Sequence, residues 1–280
     1  MFDRIVIGWT DSPSAHAASS WAVARAGSTP ITLVSVVGGH ETGTDYLSAT
    51  SPEAATRVRL METAEAFRDT HPAASISTEV VRGSTIGELL SASSPQSLLV
   101  VGGTPGARKP GPFGWSIGAR LAAADKPGTV AVIPTDSTTP QREGVVVGYD
   151  GSLASSRVLE LAFAEALATH QEVRLVHAWT APLEWQDVYA PDLGLGDSLE
   201  ALHQGVLHTG VARAGHIPGL AARGSLVYGA PAPAIVDAAQ SASEVVIGNH
   251  GNHGLRRILL GSVSHAVVRA LVAPTIIVRA

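Results

Sequence analysis

Residues Ile247–Ser264 read IGNHGNHGLRRILLGSVS and join two different apolar patterns. A short apolar run before the stretch, Glu244–Ile247, is typical of a buried strand, and the apolar periodicity of Val263–Leu271 predicts a helix. From Gly248 the glycines are spaced Gly-x2-Gly-x9-Gly-Ser. Glycine lets backbone N–H groups converge and allows an anion to approach closely. The stretch therefore predicts a strand, an anion-holding loop and a helix.

The same order of strands and helices occurs twice along the chain. Arg4–Gly8 and Gly144–Gly148 are β-branched runs that each end in a turn before an Ala-rich helix, capped by Ser12 or Ser14 in the first copy and by Ser152 in the second. The later strands also match in pairs: Ile31–Val37 with Val173–Trp179, Ser77–Arg82 with Ala222–Tyr228, Ser97–Val101 with Val245–Gly248, and Thr129–Ile133 with Thr275–Val278. Strands that alternate with helices predict parallel βαβ units and an α/β fold.

The repeat and a polar stretch between Pro134 and Gly144 divide the chain into domains. We predict an N-terminal domain over residues 1–134, a linker over 135–143 and a C-terminal domain over 144–280. Continuous apolar strands indicate that each sheet is covered on both faces. Ligands of such sheets bind beyond the carboxyl ends of the strands, where the strand order reverses.

The composition narrows the classes of function. A net charge of −5 argues against nucleic-acid binding, because no basic surface is evident. The chain has no cysteine, which excludes disulfides and thiol chemistry. No apolar run reaches the roughly 20 residues that a membrane helix needs, and the first residues enter a strand without a signal-peptide pattern. We therefore expect a cytoplasmic protein that does not bind membranes.

The chain resembles a tandem universal stress protein of the ATP-binding branch, with two such domains joined head to tail. The fingerprint of that branch is Gly-x2-Gly-x9-Gly-Ser/Thr, and Gly248, Gly251, Gly261 and Ser262 match it without a gap. The resemblance covers all 280 residues. It implies two flavodoxin- or Rossmann-like domains, each a five-stranded, mostly parallel, doubly wound sheet with a flavodoxin-like strand order. Pseudo-two-fold packing of the halves is also expected.

The resemblance implies an adenine nucleotide site in the C-terminal copy, for ATP with or without Mg²⁺. The residues concerned are Asp150 for the adenine, Ala178 for a backbone contact to the base, Ile247 and Gly248 beneath the ribose and phosphates, His250 and Gly251 in the loop, and Gly261, Ser262 and Val263 at the terminal phosphates. A carboxylate can accept a hydrogen bond from the adenine amino group, and a helix N-terminus favours phosphate.

The N-terminal copy departs from this pattern. Thr10 stands where the acid is expected, and Asp11 comes one residue late. Counted from Gly103, the position of the third glycine falls on Trp115 or Ser116. We expect this copy to bind nucleotide weakly or not at all. The alternative is a rearranged site made of Gly102, Gly106, Gly114 and Ser116, with Arg108 and Lys109 as phosphate partners.

Simpler roles remain open for several of these residues. Asp150 and Ser262 could each serve only to cap a helix. His250 with His253, or His203 with His208, could suggest a metal, but His203 and His208 are five residues apart and do not share a helical face. We predict no metal site.

The sequence favours a nucleotide-dependent regulator of stress or growth that acts on an unidentified protein partner, in a chain that could form a homodimer. It has no Gly-x4-Gly-Lys-Ser/Thr motif and no evident catalytic residues. The alternatives are a slow ATPase or adenylating enzyme of a related α/β class, and an interaction protein that needs no ligand.

Overall fold

The computed structural model describes residues 2–38, 52–106, 116–136, 142–181, 195–249 and 260–279. The chain divides into two compact units, one holding most of residues 1–139 and the other most of residues 140–278. The domain and linker boundaries given above stay a prediction, as does the symmetry of packing.

The N-terminal unit alternates strands and helices. Its elements are β1 (Arg4–Gly8), α1 (Pro13–Ala26), β2 (Ile31–Val37), α2 (Pro52–Thr70), β3 (Ile76–Arg82), α3 (Thr85–Ala92), β4 (Ser97–Gly103), α4 (Ile117–Ala122) and β5 (Gly128–Pro134).

The C-terminal unit repeats that order. Its elements are β6 (Val145–Gly148), α5 (Leu153–Thr169), β7 (Val173–Trp179), α6 (Leu195–Ala214), β8 (Ala222–Tyr228), α7 (Pro231–Ala239), β9 (Glu244–Gly248), α8 (Ser262–Ala270) and β10 (Thr275–Arg279). The predicted strands are all present, with ends that differ by one or two residues. The last helix ends one residue early because Leu271 takes the left-handed conformation, with φ 43°.

The two units share one strand order. It is β3-β2-β1-β4-β5 in the first and β8-β7-β6-β9-β10 in the second, and every described pairing within a unit is parallel. This is the order of the first five Rossmann strands, whereas the flavodoxin order is 2-1-3-4-5. The expected flavodoxin-like order is therefore wrong. Two crossovers run outward from the first strand before the chain returns to its other side, so the order reverses between β1 and β4 and between β6 and β9.

Both sheet faces are covered, as the apolar strands predict. Leu98, Leu99 and Val100 follow one another in β4 and are each at most 1% exposed. Adjacent strand residues point to opposite faces, so consecutive burial requires packing on both. Full burial of each such side chain stabilises the fold by about 1.5–3 kcal/mol.

The repeat extends to side-chain packing. A methyl group built on Gly8 would lie 3.0 Å from Leu89 Cδ1 of α3, and one built on Gly148 would lie 2.7 Å from Ile235 Cδ1 of α7. Each first strand thus ends in a glycine because an aliphatic side chain of the third helix packs directly on it.

The helix starts follow the capping residues in the sequence. Ser12 caps α1 by accepting the N–H of Ala15 at 3.3 Å, which decides between Ser12 and Ser14. Ser152 caps α5 by accepting the N–H of Ser155 at 3.2 Å. In the parts of the chain that are described, no helix combines the length and apolarity needed to cross a membrane.

Candidate nucleotide site at the carboxyl edge of the C-terminal sheet

Asp150 lies just beyond β6, at the point where the strand order reverses. Its Oδ1 accepts the N–H of Ser152 at 2.9 Å, which closes an Asx turn two residues before the helix cap. The suggestion that Asp150 is itself the cap is therefore wrong, because that position belongs to Ser152. Gly151 takes φ 76°, and a methyl group on it would lie 2.6 Å from Val206 Cγ1. The turn uses one carboxylate oxygen, and Oδ2 accepts no hydrogen bond from the described residues.

Ala178 presents unpaired backbone groups level with Asp150, two residues past the Gly148–Val176 pair. Alternate residues of a parallel strand direct their backbone groups to the same neighbour. Val176 accepts the N–H of Tyr149 at 3.0 Å, so the N–H and C=O of Ala178 also face the β6 side. Neither group bonds to any residue that the structure describes. One donor and one acceptor side by side can pair with the edge of a purine base.

Hydrogen bonds hold the end of β9 against the start of α8. Asn249 donates its N–H to the carbonyl of Val278 at 3.0 Å, and its own carbonyl accepts the N–H of Gly261 at 2.9 Å. The hydroxyl of Ser264 donates to the carbonyl of Gly248 at 2.6 Å. The two ends of the glycine-rich loop are therefore fixed to each other, whatever lies between them.

The start of α8 leaves backbone donors available. Gly261 is the N-cap residue and has no side chain to cap the helix. The N–H groups of Ser262, Val263 and Ser264 have no intrahelical acceptor, and they form the positive end of the helix dipole. Ser262 is exposed and already inside the helix, so the suggestion that it is the cap is wrong. This arrangement suits a phosphate group.

The remaining predicted residues are only partly described. Ile247 is buried in β9, and Gly248 ends that strand beside α8. His250 and Gly251 lie outside the described residues, as does His253. In the described part of the chain, no three acidic, histidine or cysteine side chains form a group that could hold a metal ion.

A chain of histidine and aromatic side chains lies behind Asp150 and was missed in the sequence. His177 Nδ1 is 2.7 Å from the carbonyl oxygen of Tyr149, and its Nε2 is 2.8 Å from His203 Nδ1. The His203 ring stacks on Trp179 with centroids 5.0 Å apart, and Tyr228 meets Trp179 edge-on. From the sequence, His203 and His208 suggest only a possible pair of metal ligands. The sequence signal for this cluster is the position of His177, which lies two residues after Leu175 on the same face of β7 and so faces α6.

Burial shifts the pKa values of two side chains at this cluster, Tyr149 and His203. Burial raises the pKa of the Tyr149 phenol, the positive charge of Arg213 lowers it, and the negative charge of Asp150 raises it. Burial also lowers the pKa of His203, and positive charge on His177 lowers it further. Burial therefore favours the uncharged forms of the Tyr149 phenol and the His203 imidazole.

The N-terminal unit has a different set of contacts at the same place. Strand register aligns Thr10 with Asp150, since Gly8 pairs with Val34 as Gly148 pairs with Val176. The Thr10 hydroxyl lies 3.0 Å from that of Ser12. At this position the N-terminal unit therefore has a hydroxyl group in place of the carboxylate.

The glycine loop of the N-terminal unit is also altered. Register places Gly102, not Gly103, at the position of Gly248, because Val101 pairs with the last residue of β1. Equal spacing then puts Trp115 at the third glycine and Ser116 at the following serine. Gly106 is exposed with φ 67°, and Ser116 caps α4 by accepting the N–H of Ala119 at 3.2 Å. Gly114 and Trp115, together with Arg108 and Lys109, lie outside the described residues.

The chain is similar to known proteins of one family. A model of the universal stress protein family matches residues 142–279. Universal stress protein Rv1996 of Mycobacterium tuberculosis is 32% identical over 221 residues, covering 74% of this chain and 66% of that protein, just under two thirds of its length. Universal stress protein Rv2005c of the same organism is 32% identical over 212 residues, covering 73% of this chain and 69% of that protein. The chain belongs to the universal stress protein family.

The structural likeness of this universal stress protein extends over both units. The crystal structure of a universal stress protein from Archaeoglobus fulgidus DSM 4304 superposes with a TM-score of 0.65 and covers 99% of this chain and 96% of that chain. At 19% identity the likeness concerns the fold alone. The family model, by contrast, matches the unit in which the glycine fingerprint is intact.

Proposed function

We propose that the C-terminal unit of this universal stress protein binds ATP and that occupancy of the site regulates an unidentified protein partner. The observation that carries the proposal is the uncapped start of α8, at the edge where Asp150 and Ala178 also present free hydrogen-bonding atoms. Phosphate at a helix N-terminus and a purine against a backbone edge are both favourable interactions.

Each part of the nucleotide has a matching group in the proposed site. Asp150 Oδ2 would accept from the adenine amino group, and the backbone of Ala178 would meet the base. Gly248 would lie beneath the ribose and phosphates, while the N–H groups of Ser262 and Val263 would bind the terminal phosphates. His250 and Gly251 would complete the loop, and Mg²⁺ could accompany the phosphates.

Regulation is favoured over catalysis by the chemistry available at this edge. Asp150 is the acidic residue of the predicted site, and its Asx turn holds one of its two oxygens. Hydrolysis or adenylation would need a metal-holding carboxylate and a positioned base. We therefore assign the nucleotide a binding role, with at most slow turnover.

Binding stoichiometry tests the proposal directly. The purified protein is denatured and the supernatant assayed for adenine nucleotide, and nucleotide-free protein is titrated with ATP by calorimetry. We expect one ATP per chain. No released nucleotide together with no heat of binding would refute the proposal, and two ATP per chain would refute the asymmetry between the units. Steady-state phosphate release with Mg²⁺ would shift the assignment to an enzyme.

The variant Gly261→Asp separates binding from folding. Aspartate is at least as good an N-cap as glycine, so α8 should form normally and the melting temperature should not fall. Its carboxylate would occupy the free N–H groups and repel phosphate, so we expect ATP affinity to drop at least about tenfold. The control is Ser116→Asp, at a helix that is already capped, and it should leave ATP binding unchanged. Unchanged affinity in Gly261→Asp would place the phosphates elsewhere.

A further inference from the structure

His177 makes two hydrogen bonds in the interior of the C-terminal unit. It is 5% exposed, and its ring lies between a backbone carbonyl and a side chain of α6. Nδ1 is 2.7 Å from the Tyr149 oxygen, and Nε2 is 2.8 Å from His203 Nδ1. A buried imidazole with both nitrogens bonded has one fixed orientation.

The partners determine where the hydrogens lie. A carbonyl oxygen only accepts, so His177 Nδ1 carries a hydrogen and donates it to Tyr149. When the ring is neutral, Nε2 is an acceptor, and His203 then donates from its Nδ1. His203 is in turn held against Trp179 by ring stacking at 20°. His177 is thus tied to α6 on one side and to the end of β6 on the other.

This pair of bonds fixes the peptide that leads into Asp150. The Tyr149 N–H donates to the Val176 carbonyl at 3.0 Å, and the Tyr149 carbonyl accepts from His177. Because the peptide group is planar, holding that carbonyl also sets the direction of the Asp150 N–H and Cα. The Asx turn then orients the carboxylate from that starting point.

The N-terminal unit lacks this support. Ser35 occupies the place of His177, since Val34 and Val176 are equivalent in register. The Trp9 N–H donates to Val34 at 2.8 Å, as in the other unit, but the Trp9 carbonyl receives no donor from the described residues. A serine has a single hydroxyl group and cannot join a strand carbonyl to a helix side chain as an imidazole does.

We propose that His177 is a positioning residue for the nucleotide site: its Nδ1–H, braced by His203, fixes the Tyr149–Asp150 peptide so that the Asp150 carboxylate selects adenine over guanine. This rests on the proposed function of the same edge. Adenine offers an amino group to a carboxylate at the position where guanine has a carbonyl, so an accurately held carboxylate accepts from ATP and repels GTP.

The test uses two substitutions, each of which places an amide group near the position of one of the two imidazole nitrogens. Asparagine places its side-chain N–H where Nδ1 of histidine lies, so His177→Asn retains a donor for the Tyr149 carbonyl. Glutamine places its amide nearer the Nε2 position, so His177→Gln can reach His203 but not that carbonyl. His208→Gln is the matched control, because His208 is exposed on the same helix as His203. Each full-length variant is titrated with ATP and with GTP, and its melting temperature is measured.

We expect the ATP affinity of His177→Gln to fall about three- to tenfold. Its preference for ATP over GTP should also decrease. His177→Asn should stay close to wild type in both, and His208→Gln should not differ from wild type. A folded His177→Gln with wild-type ATP affinity and selectivity would overturn the inference. So would a folded His177→Asn that is as weak as His177→Gln, because the retained donor would then have no effect.

Two further results keep the outcomes distinct. If wild-type protein binds neither nucleotide, the proposed function itself fails, whatever the variants do. If His177→Gln does not fold, His203→Phe provides the second test. Phenylalanine keeps the stacking on Trp179 and removes only the hydrogen bond to His177. We expect a smaller loss of ATP affinity there, about threefold, and unchanged affinity would overturn the role of His203.

Discussion

The two units close the turn after their first strand with the same donor and different acceptors. In the N-terminal unit the Ser12 N–H donates to the backbone carbonyl of Thr10 at 2.8 Å. In the C-terminal unit the Ser152 N–H donates to the side chain of Asp150 at 2.9 Å. Both turns lead into a serine-capped helix. The fold therefore tolerates either acceptor, and the carboxylate is an addition that the fold does not require.

The acid of the N-terminal unit is present but directed elsewhere. Asp11 forms an exposed ion pair with Arg59, 2.8 Å from Nη1, and also lies 3.4 Å from His16 Nε2. A shift of one residue has moved the carboxylate from the sheet edge to the surface. The two units also differ at the start of the last helix. Ser116 caps α4 with its hydroxyl, while Gly261 leaves α8 without a side-chain cap.

The largest effect is expected at Gly102, the counterpart of Gly248 in the N-terminal unit. It tests whether this glycine is retained for packing alone. A methyl group on Gly102 would overlap the carbonyl oxygen of Ser14 and come within 2.8 Å of Ala15 N. We expect Gly102→Ala to reduce the free energy of unfolding by about 3 kcal/mol, measured by urea denaturation. Gly87→Ala is the control: its methyl group would have 3.6 Å to the nearest atom, and alanine favours helix by up to about 1 kcal/mol. Equal stability of both variants would contradict this packing argument.

The next effect tests the carboxylate that distinguishes the units. Asp150→Ala should weaken ATP binding about 10- to 100-fold, or 1.4–2.8 kcal/mol, because a hydrogen bond to a charged group is lost. Asp11→Ala should leave ATP affinity unchanged. Calorimetric titration of both variants measures this, and a similar loss in the two would remove the distinction between the units.

A graded effect of pH tests two half-buried histidines of the C-terminal unit, His203 and His265. Burial lowers the pKa of His203 and of His265 from 6.5, with a further lowering by His177 and by Arg269 respectively. Below pH 6.5 the unfolded chain therefore binds more protons than the folded unit, so the free energy of unfolding decreases as pH falls through the folded pKa values. Above pH 6.5 these groups contribute no pH dependence.

Urea denaturation at pH 7.5 and pH 5.0 should show this decrease. It should be smaller in His203→Gln and retained in His208→Gln, whose histidine is exposed. A full decrease in His203→Gln would show that His203 does not contribute.

The smallest effect concerns the displaced acid. Arg59 is 60% exposed in its pair with Asp11, and exposed ion pairs contribute about 0.2–1 kcal/mol. Arg59→Ala should lower the free energy of unfolding by no more than that, and less at high salt. A loss beyond about 1 kcal/mol would mean that Asp11 has a structural role after all.

The strands, the helix caps and the repeat could be predicted from the sequence because each depends on local residues. Ser12 and Ser152 cap helices through atoms three residues away, and buried runs such as Leu98–Val101 need no knowledge of their partners. The strand order could not be predicted in this way. It depends on which side of β1 the third strand reaches, and the resemblance gave a wrong order.

The positions of the candidate site residues could be predicted where they follow from their place along the chain. The placement of Asp150 after β6 and of Gly261 at a helix start follows from spacing. The full link from Tyr149 through His177 to His203 could not be inferred, because His177 bonds to one residue 28 positions earlier and to another 26 positions later in the chain. The simpler alternative, in which Asp150 and Ser262 only cap helices, is wrong because the capping positions lie one or two residues away.

The hydrogen bond from Gly261 to Asn249 has a consequence for how such sites diversify. It joins the two flanks of residues 250–260, so the strand end and the helix start stay together independently of the sequence between them. Doubling the length of a closed loop adds only about 0.6 kcal/mol of entropic cost. The sequence between these two anchors can therefore change without separating the end of β9 from the start of α8.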